Sequence, residues 1–363
     1  MEYRNIELVL DMREVSQHPT GAVYNDIDAM DIIEGYENAG GRIVLVNHPH
    51  SSNGAIEDLE YITSNYHGKA LLGAHFRLDY KTGYNDDEMF DRALRLDGLH
   101  WISVFLDTSP ESINRHKGMS WNKVIDNTQD IIKRIIGHEK TPRITTEHAI
   151  RTFLSGDEES YNRGIGIVTA ASDAGARWYN LPDTTGINDP YDKTRSITRT
   201  VDVVAESLSS HNISDYIINV HAHNDINTAE EGVMHAIMNS NARAADLTLG
   251  GLGERNGIGD LYTIAYRLTK AGIIDYYDME ALRKLREHSN IILGIENPNQ
   301  TVDGKYTKSV VAGTHFSAMY NKNNEEWNYK PYYNPHIESM PMGEQDVNVI
   351  FTHQSSTKMY EYL

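Results

Sequence analysis

His221 and His223, separated by one alanine, are the pair in this chain whose type and spacing point most directly to chemistry. Residues two apart on extended chain project to one face, so both imidazoles can reach a single ion at a strand end. Glu14 would complete the set if barrel closure makes its strand, the first, a neighbour of the seventh and eighth around the same mouth. Two imidazoles and one carboxylate leave coordination positions open, which a catalytic divalent ion needs in order to chelate a carboxylate and an adjacent keto oxygen as a Lewis acid. Such donors suit Zn, Mn, Co or Mg and do not choose among them. Two plainer explanations compete: in a chain with 17 histidines a His-x-His pair also arises by chance, and Arg13 beside Glu14 also fits a solvated charge pair. Facing a metal from a strand end, Arg13 would instead stabilise an enolate or alkoxide oxygen. The chain has no cysteine, so thiolate ligands, disulfides and a cysteine nucleophile are excluded.

Positioning these groups requires strands whose carboxyl ends share one mouth. Short apolar runs recur at intervals of about 30 residues, each followed by helical periodicity, the signature of βα units. Eight are expected as strands: Ile6–Leu10, Arg42–Val46, Ala70–Gly73, Trp101–Leu106, Pro142–Thr145, Trp178–Leu181, Tyr216–Val220 and Ala245–Leu249. Between them lie amphipathic stretches such as Trp121–Ile136, with Val124, Ile125, Ile131, Ile132, Ile135 and Ile136 along one stripe. Eight alternating units predict an α/β fold, a (β/α)8 TIM barrel, over residues 1–290. An open doubly wound sheet is disfavoured because no Gly-x-Gly-x-x-Gly turn follows the first strand. Past residue 290 the rhythm breaks at Gly304, Pro331 and Pro335, so residues 291–363 are expected to form a small C-terminal subdomain of helix and irregular chain, with a loop over Asn321–Pro335. The expected strand ends bring Arg13, Glu14, His48, His75, Arg77, Glu147, Asp183, Thr184, His221, His223, Asn224 and Asp225 to the mouth, where barrel chemistry resides. The Gly-rich run Thr248–Asp260 fits close approach of backbone to a ligand and equally fits tight turns at Gly253 and Gly257.

The length of 363 residues suits a barrel of about 250 residues plus an appended unit. The formal charge is -19 with no basic run, which excludes nucleic acid and anionic membrane as expected partners and leaves small molecules. The amino terminus carries no cationic head with an apolar run behind it, and no stretch of 18 apolar residues occurs, so a cytoplasmic protein is expected.

These residues resemble the homocitrate, isopropylmalate and citramalate synthases of the DRE-TIM metallolyase superfamily, homocitrate synthases most of all, over nearly the whole chain. Arg13-Glu14-Val-Ser-Gln17 is similar to that family's Arg-Glu-Gly-Glu-Gln, and His221-Ala-His223-Asn224-Asp225 to its His-x-His-Asn-Asp. Gly251-Leu-Gly-Glu-Arg-Asn-Gly257 resembles the Gly-Ile-Gly-Glu-Arg-Asn-Gly of homocitrate synthases. Ala74-His75-Phe-Arg77, Thr145-Thr-Glu147-His148-Ala-Ile-Arg151, Asp183-Thr184-Thr-Gly186 and Ala312-Gly313-Thr-His315 resemble further family motifs in the same order. The resemblance implies that Glu14, His221 and His223 hold a divalent metal that chelates 2-oxoglutarate, with Arg13 polarising the reacting carbonyl. It implies substrate binding by Gln17 and Thr184 and recognition of a distal carboxylate by His75 and Arg151. Glu147 and His315 would be the acid–base pair acting on acetyl-CoA, His315 arriving from the partner of a homodimer with swapped C-terminal subdomains. The implied reaction is a Claisen-type condensation giving homocitrate and CoA, in amino-acid biosynthesis.

Several positions depart from the family pattern. Leu45 stands where the family has a strand-two Glu near the active-site Arg, His48 replaces a small or aromatic residue, and His148 replaces an Asp. Ile258 replaces the Asn of isopropylmalate synthases, which favours the homocitrate type. The family tyrosine after the post-barrel His has no assigned counterpart, although Trp327 and Tyr329 lie near. A related acyltransferase, or a carbon–carbon lyase or aldolase on a different 2-oxo acid, is the alternative, and a degenerate barrel kept for binding or regulation is a third. The separate regulatory domain of many isopropylmalate synthases is not expected, while feedback by a ligand competing at the active site stays compatible with the sequence.

Overall fold

The computed structural model describes residues 6–78, 88–109 and 120–295 and, beyond them, the backbone of four two-residue strands. The chain divides into two compact units, Met1–Gly294 and Ile295–Leu363. In the first, eight strands form a closed barrel in chain order: β1 (Glu7–Asp11), β2 (Ile43–Asn47), β3 (Leu71–Arg77), β4 (Trp101–Asp107), β5 (Thr141–Glu147), β6 (Trp178–Asp183), β7 (Ile217–Ala222) and β8 (Ala242–Leu247). All neighbours are parallel, and closure is made by β1 against β8, with Leu8 opposite Ala245 and Leu10 opposite Leu247. The expected (β/α)8 TIM barrel is therefore the fold.

The helices are α1 (Met12–Val15), α2 (Asp26–Asn38), α3 (Asn53–Asn65), α4 (Glu88–Leu94), α5 (Trp121–Gly137), α6 (Ala149–Leu154), α7 (Glu158–Asp173), α8 (Ile197–Ser210), α9 (Ala229–Asn239), α10 (Leu261–Lys270) and α11 (Met279–Leu293). Local chemistry starts them where they start. The side chains of Asn25, Ser52, Asp157, Asp260 and Asp278 each accept a backbone N–H in the first turn of the helix that follows, satisfying a donor that has no partner within the helix. Helix α5 buries Val124, Ile131, Ile132 and Ile135, the stripe expected from its periodicity, but leaves Ile136 exposed.

The strand boundaries moved in an instructive way. Strands β3 and β5 run on to Arg77 and Glu147, so the functional residues sit within the ladder. Strand β8 begins three residues earlier than expected, in an alanine-rich run of low intrinsic strand preference. Pairing on both sides, Ile218 with Ala242 and Glu7 with Ala244, brings it into the sheet.

Inside the barrel Val9, Ile43, Leu45, Trp101 and Trp178 form a buried apolar cluster. A polar network connects with it. The Arg143 guanidinium lies 4.7 Å over the Trp101 ring and 5.3 Å over Trp178, and donates to Asp246 Oδ1 at 2.7 Å and to Ser103 Oγ at 3.1 Å. Asn219 donates to Asn180 at 2.7 Å, and Asn180 to Thr145 at 3.3 Å.

In the second unit the described backbone pairs β9 (Ser309–Val310) in parallel with β12 (Asn348–Val349), and β10 (Tyr320–Asn321) antiparallel with β11 (Glu326–Trp327). The expected loop over Asn321–Pro335 thus contains a short strand at Glu326–Trp327. Among the described residues no helix is long and apolar enough to cross a membrane.

Candidate metal centre and active site

Strand β1 ends at Asp11, whose side chain accepts the Glu14 N–H at 3.1 Å and starts α1. That single turn puts Arg13 and Glu14 at the barrel mouth. Strand β7 carries His221, and His223 lies just beyond it, held by a backbone bridge to Ile258. Ligand atoms of Glu14, His221 and His223 all lie within 4.8 Å of one another, and all three residues are buried. The two imidazole centroids are 5.1 Å apart, and His221 Nε2 is 3.9 Å from Glu14 Oε2.

The hydrogen bonds decide which atoms are free to ligate. His221 Nδ1 stands 3.3 Å from Asp246 Oδ2, so Nδ1 carries the hydrogen and Nε2 is left bare toward Glu14. Asp246 is itself held by the fully buried Arg143. His223 Nδ1 is buried with no hydrogen-bond partner, an orphan that a ligated ion would explain. Burial opposes ionisation of Glu14, but Arg13, the two imidazoles and the Glu254 N–H at 3.0 Å outweigh it and hold the carboxyl at about 2. Burial and then His221 push His223 down to about 3, so it is neutral. An ionised carboxylate and a neutral imidazole are the forms that bind a cation. The donor set therefore fits a divalent ion with oxygen and nitrogen preference.

A second set, Asp11, His221 and Asp246, also lies within 4.8 Å. Each of its carboxylates already holds a guanidinium: Asp11 accepts from Arg13 at 2.6 Å and Asp246 from Arg143. This inner set orients His221 from behind and is balanced without an ion. Arg13 bridges both sets, binding Glu14 Oε2 as well as Asp11. Leu45, where the resembling family has a Glu, is packed in the apolar cluster, and Asp11 stands opposite it in the β1–β2 register. The carboxylate beside Arg13 comes from the neighbouring strand at the same height.

A cavity of about 170 Å³ opens beside this centre, lined by Arg13, Gln17, His48, His75, Phe105, Thr145, Glu147, Asn180, Pro182, Thr184, His221, His223 and Glu254. Of the residues singled out from sequence, Arg13, Gln17, His75, Glu147, Thr184, His221 and His223 meet here. Arg151 sits half-buried on α6 and is not among the side chains of that wall. His315 lies outside the described residues, as does Tyr329, and of Trp327 only the backbone is described. Thr184 Oγ1 accepts the His148 N–H at 2.8 Å, and His148 adopts a left-handed φ of 52° at the β5–α6 junction. Arg255 donates to both oxygens of Asp225, at 2.7 and 2.9 Å, and to the Thr184 carbonyl at 2.9 Å, tying together the chain after β6, β7 and β8. The Gly-rich run has two distinct reasons. A Cβ on Gly253 would stand 2.7 Å from Glu14 Cγ, while Gly257 has φ +81° and would meet the Gly251 carbonyl at 1.9 Å.

Sequence inspection missed Asp11, Asp246 and Arg143. Asp246 and Arg143 carry a signal, a charged residue within an apolar strand run, and Asp11 differs only as the last residue of such a run.

A family model described as HMGL-like matches residues 11–288. The chain belongs to the HMGL-like family. Among curated proteins, it is 27% identical to 2-isopropylmalate synthase of Acidimicrobium ferrooxidans, over 68% of this chain and 43% of that one. It is 29% identical to 2-isopropylmalate synthase of Pectobacterium atrosepticum, over 63% and 40%. The chain thus spans less than half the length of these relatives. Among solved structures, hydroxymethylglutaryl-CoA lyase of Pseudomonas aeruginosa superposes with a TM-score of 0.64 at 16% identity, over 81% of this chain and 95% of that one, a likeness of fold. In this HMGL-like chain the candidate metal ligands stand just past the end of β1 and at the end of β7.

Proposed function

We propose that this chain catalyses a Claisen-type condensation of acetyl-CoA with a 2-oxo acid at a divalent metal. The observation that carries the proposal is the buried Glu14–His221–His223 set, with one imidazole oriented by Asp246, opening on a cavity shared with Arg13, Glu147 and Thr184. Glu14, His221 and His223 would hold a divalent ion, which would supply Lewis acidity to a bound 2-oxo acid.

The side chains divide the remaining work. Glu147, paired with His315 in the resembling family, takes a proton from the acetyl methyl group; His315 would come from residues 291–363 of a partner copy. The methyl carbon then bonds to the keto carbon. Arg13 stabilises the alkoxide forming on the keto oxygen, which is protonated to a hydroxyl. Thr184 and Gln17 hold the substrate carboxylate. Water cleaves the thioester and CoA leaves. The finer reading, 2-oxoglutarate giving homocitrate, is supported by the run Gly251–Gly257 and by Ile258, but Arg151 stands outside the cavity wall and His75, which is in it, is uncharged.

The test is CoA release, followed with a thiol reagent that a cysteine-free chain does not consume. Metal-reconstituted protein should release CoA from acetyl-CoA only when a 2-oxo acid is present. Glu147→Gln should slow release about 10²–10⁴-fold. Release with no 2-oxo acid of a broad panel would sink the proposal.

A further inference from the structure

In the closed strand order β3 lies diametrically across from β7, and one cavity reaches from His221 and His223 at β7 to the ends of β2, β3 and β4. That wall is made of His48, His75 and Phe105. His75 stacks on Phe105 with centroids 4.3 Å apart and 9° between planes, and His48 meets Phe105 edge-on at 5.5 Å. His48 Nδ1 lies 2.6 Å from the His75 carbonyl oxygen. A carbonyl only accepts, so Nδ1 carries the hydrogen and Nε2 of the neutral ring is an acceptor. Burial first, then neighbouring charges, hold His48 at about 4 and His75 well below the usual imidazole range, which keeps both rings uncharged near neutrality. Among the described residues the one cationic side chain lining the cavity is Arg13, and it is committed to Asp11 and Glu14.

We propose that this wall selects a 2-oxo acid whose distal group is an uncharged hydrogen-bond donor, a hydroxyl or carboxamide, and that His48 Nε2 is the acceptor that reads it. A distal carboxylate would meet the bare Nε2 lone pair of His48 and gain no cation from His48, His75 or Phe105, so it would give up hydration that these three side chains do not replace with a charge. The proposal rests on the preceding one only in placing the 2-oxo acid head at Glu14, His221 and His223, and it departs from a dicarboxylate substrate.

Calorimetry on the Mn-loaded full chain, without acetyl-CoA, reads the preference directly. Binding of 4-hydroxy-2-oxobutanoate should exceed that of oxaloacetate and of 2-oxoglutarate by about tenfold or more. His48→Leu should abolish the difference, while His48→Gln, which keeps an acceptor, should retain it within about threefold. His48→Arg should shift preference toward the two dicarboxylates by about tenfold, through KM rather than kcat where turnover is followed. Circular dichroism checks that each variant is folded. Tighter binding of either dicarboxylate to the unaltered protein, or an unchanged ranking in both His48→Leu and His48→Arg, overturns the assignment. The expected ranking without CoA release from any acid would defeat the condensation and leave the distal assignment standing; no binding of any of the three acids would defeat the distal assignment.

Discussion

Which nitrogen of His221 points at Glu14 is settled by a residue on another strand. Asp246 accepts the Nδ1 hydrogen, and Arg143 holds Asp246 while lying over two tryptophans that touch each other. Two separate consequences follow from removing that carboxylate. Asp246→Asn should weaken Zn binding about 10–100-fold, because the imidazole loses the partner that orients it. It should also destabilise the metal-free protein by about 3–5 kcal/mol, because Arg143 becomes a buried charge without its counter-charge. Competition with a chelating dye measures the first and urea denaturation the second. A double replacement, Asp246→Leu with Arg143→Met, should recover most of the stability and none of the metal affinity. Recovery of both would mean that Asp246 serves only the ion pair.

Two elements of the barrel unit, β3 and α1, give up local stability to fit their neighbours. Strand β3 has a glycine, poor in strands, at position 73, because the Trp101 indole of β4 occupies the space a Cβ would take, at 2.0 Å. Gly73→Ala should therefore overpack the interior and cost about 3 kcal/mol or more, seen as a lower thermal midpoint. A shift within error would mean that Trp101 repacks freely. The single turn α1 has the same character: too short to be stable alone, it exists because Asp11 caps it and the Glu254 N–H donates to the Glu14 carboxylate. Element ends, more than element middles, place the site.

For the molecule as a whole, charge balance links stability to pH. The buried carboxylates Asp11, Glu14 and Asp246 outnumber the guanidiniums Arg13 and Arg143 by one, and a divalent ion with a substrate carboxylate would neutralise the excess. His48 is held at about 4 and His223 at about 3, below the ordinary 6.5, so the unfolded chain binds their protons first and stability falls as pH drops below 6.5. Burial raises Asp183 to about 6, and burial with the carboxylates around it raises Asp11 to about 6, so these two take protons in the folded state first and offset part of that fall. Below about 4 the offset ends, since unfolded aspartates also protonate, and Glu14, held at about 2, adds its own loss. The urea midpoint of metal-free protein should fall gently from pH 6.5 to 4 and steeply beneath it. A midpoint that rises as pH drops toward 4 would show that the raised aspartates dominate.

The barrel itself was legible in the sequence, because alternating apolar runs and helical stripes are local patterns and eight of them have few ways to close. The His-x-His pair, Glu14 and Arg13 were legible too, since residue type and position at a strand end need no knowledge of neighbours. The early start of β8 at Ala242 was not, because partners on both sides override weak alanine preference. Nor was the exchange by which Asp11 supplies the carboxylate beside Arg13 while Leu45 joins the apolar cluster, which depends on the register between β1 and β2. The free nitrogen of His221, the neutral wall of His48, His75 and Phe105, and the place of Arg151 outside the cavity are all set by contacts between residues far apart in the chain. A sequence names the groups a site can use, and only closure of the barrel decides which atoms of those groups face one another.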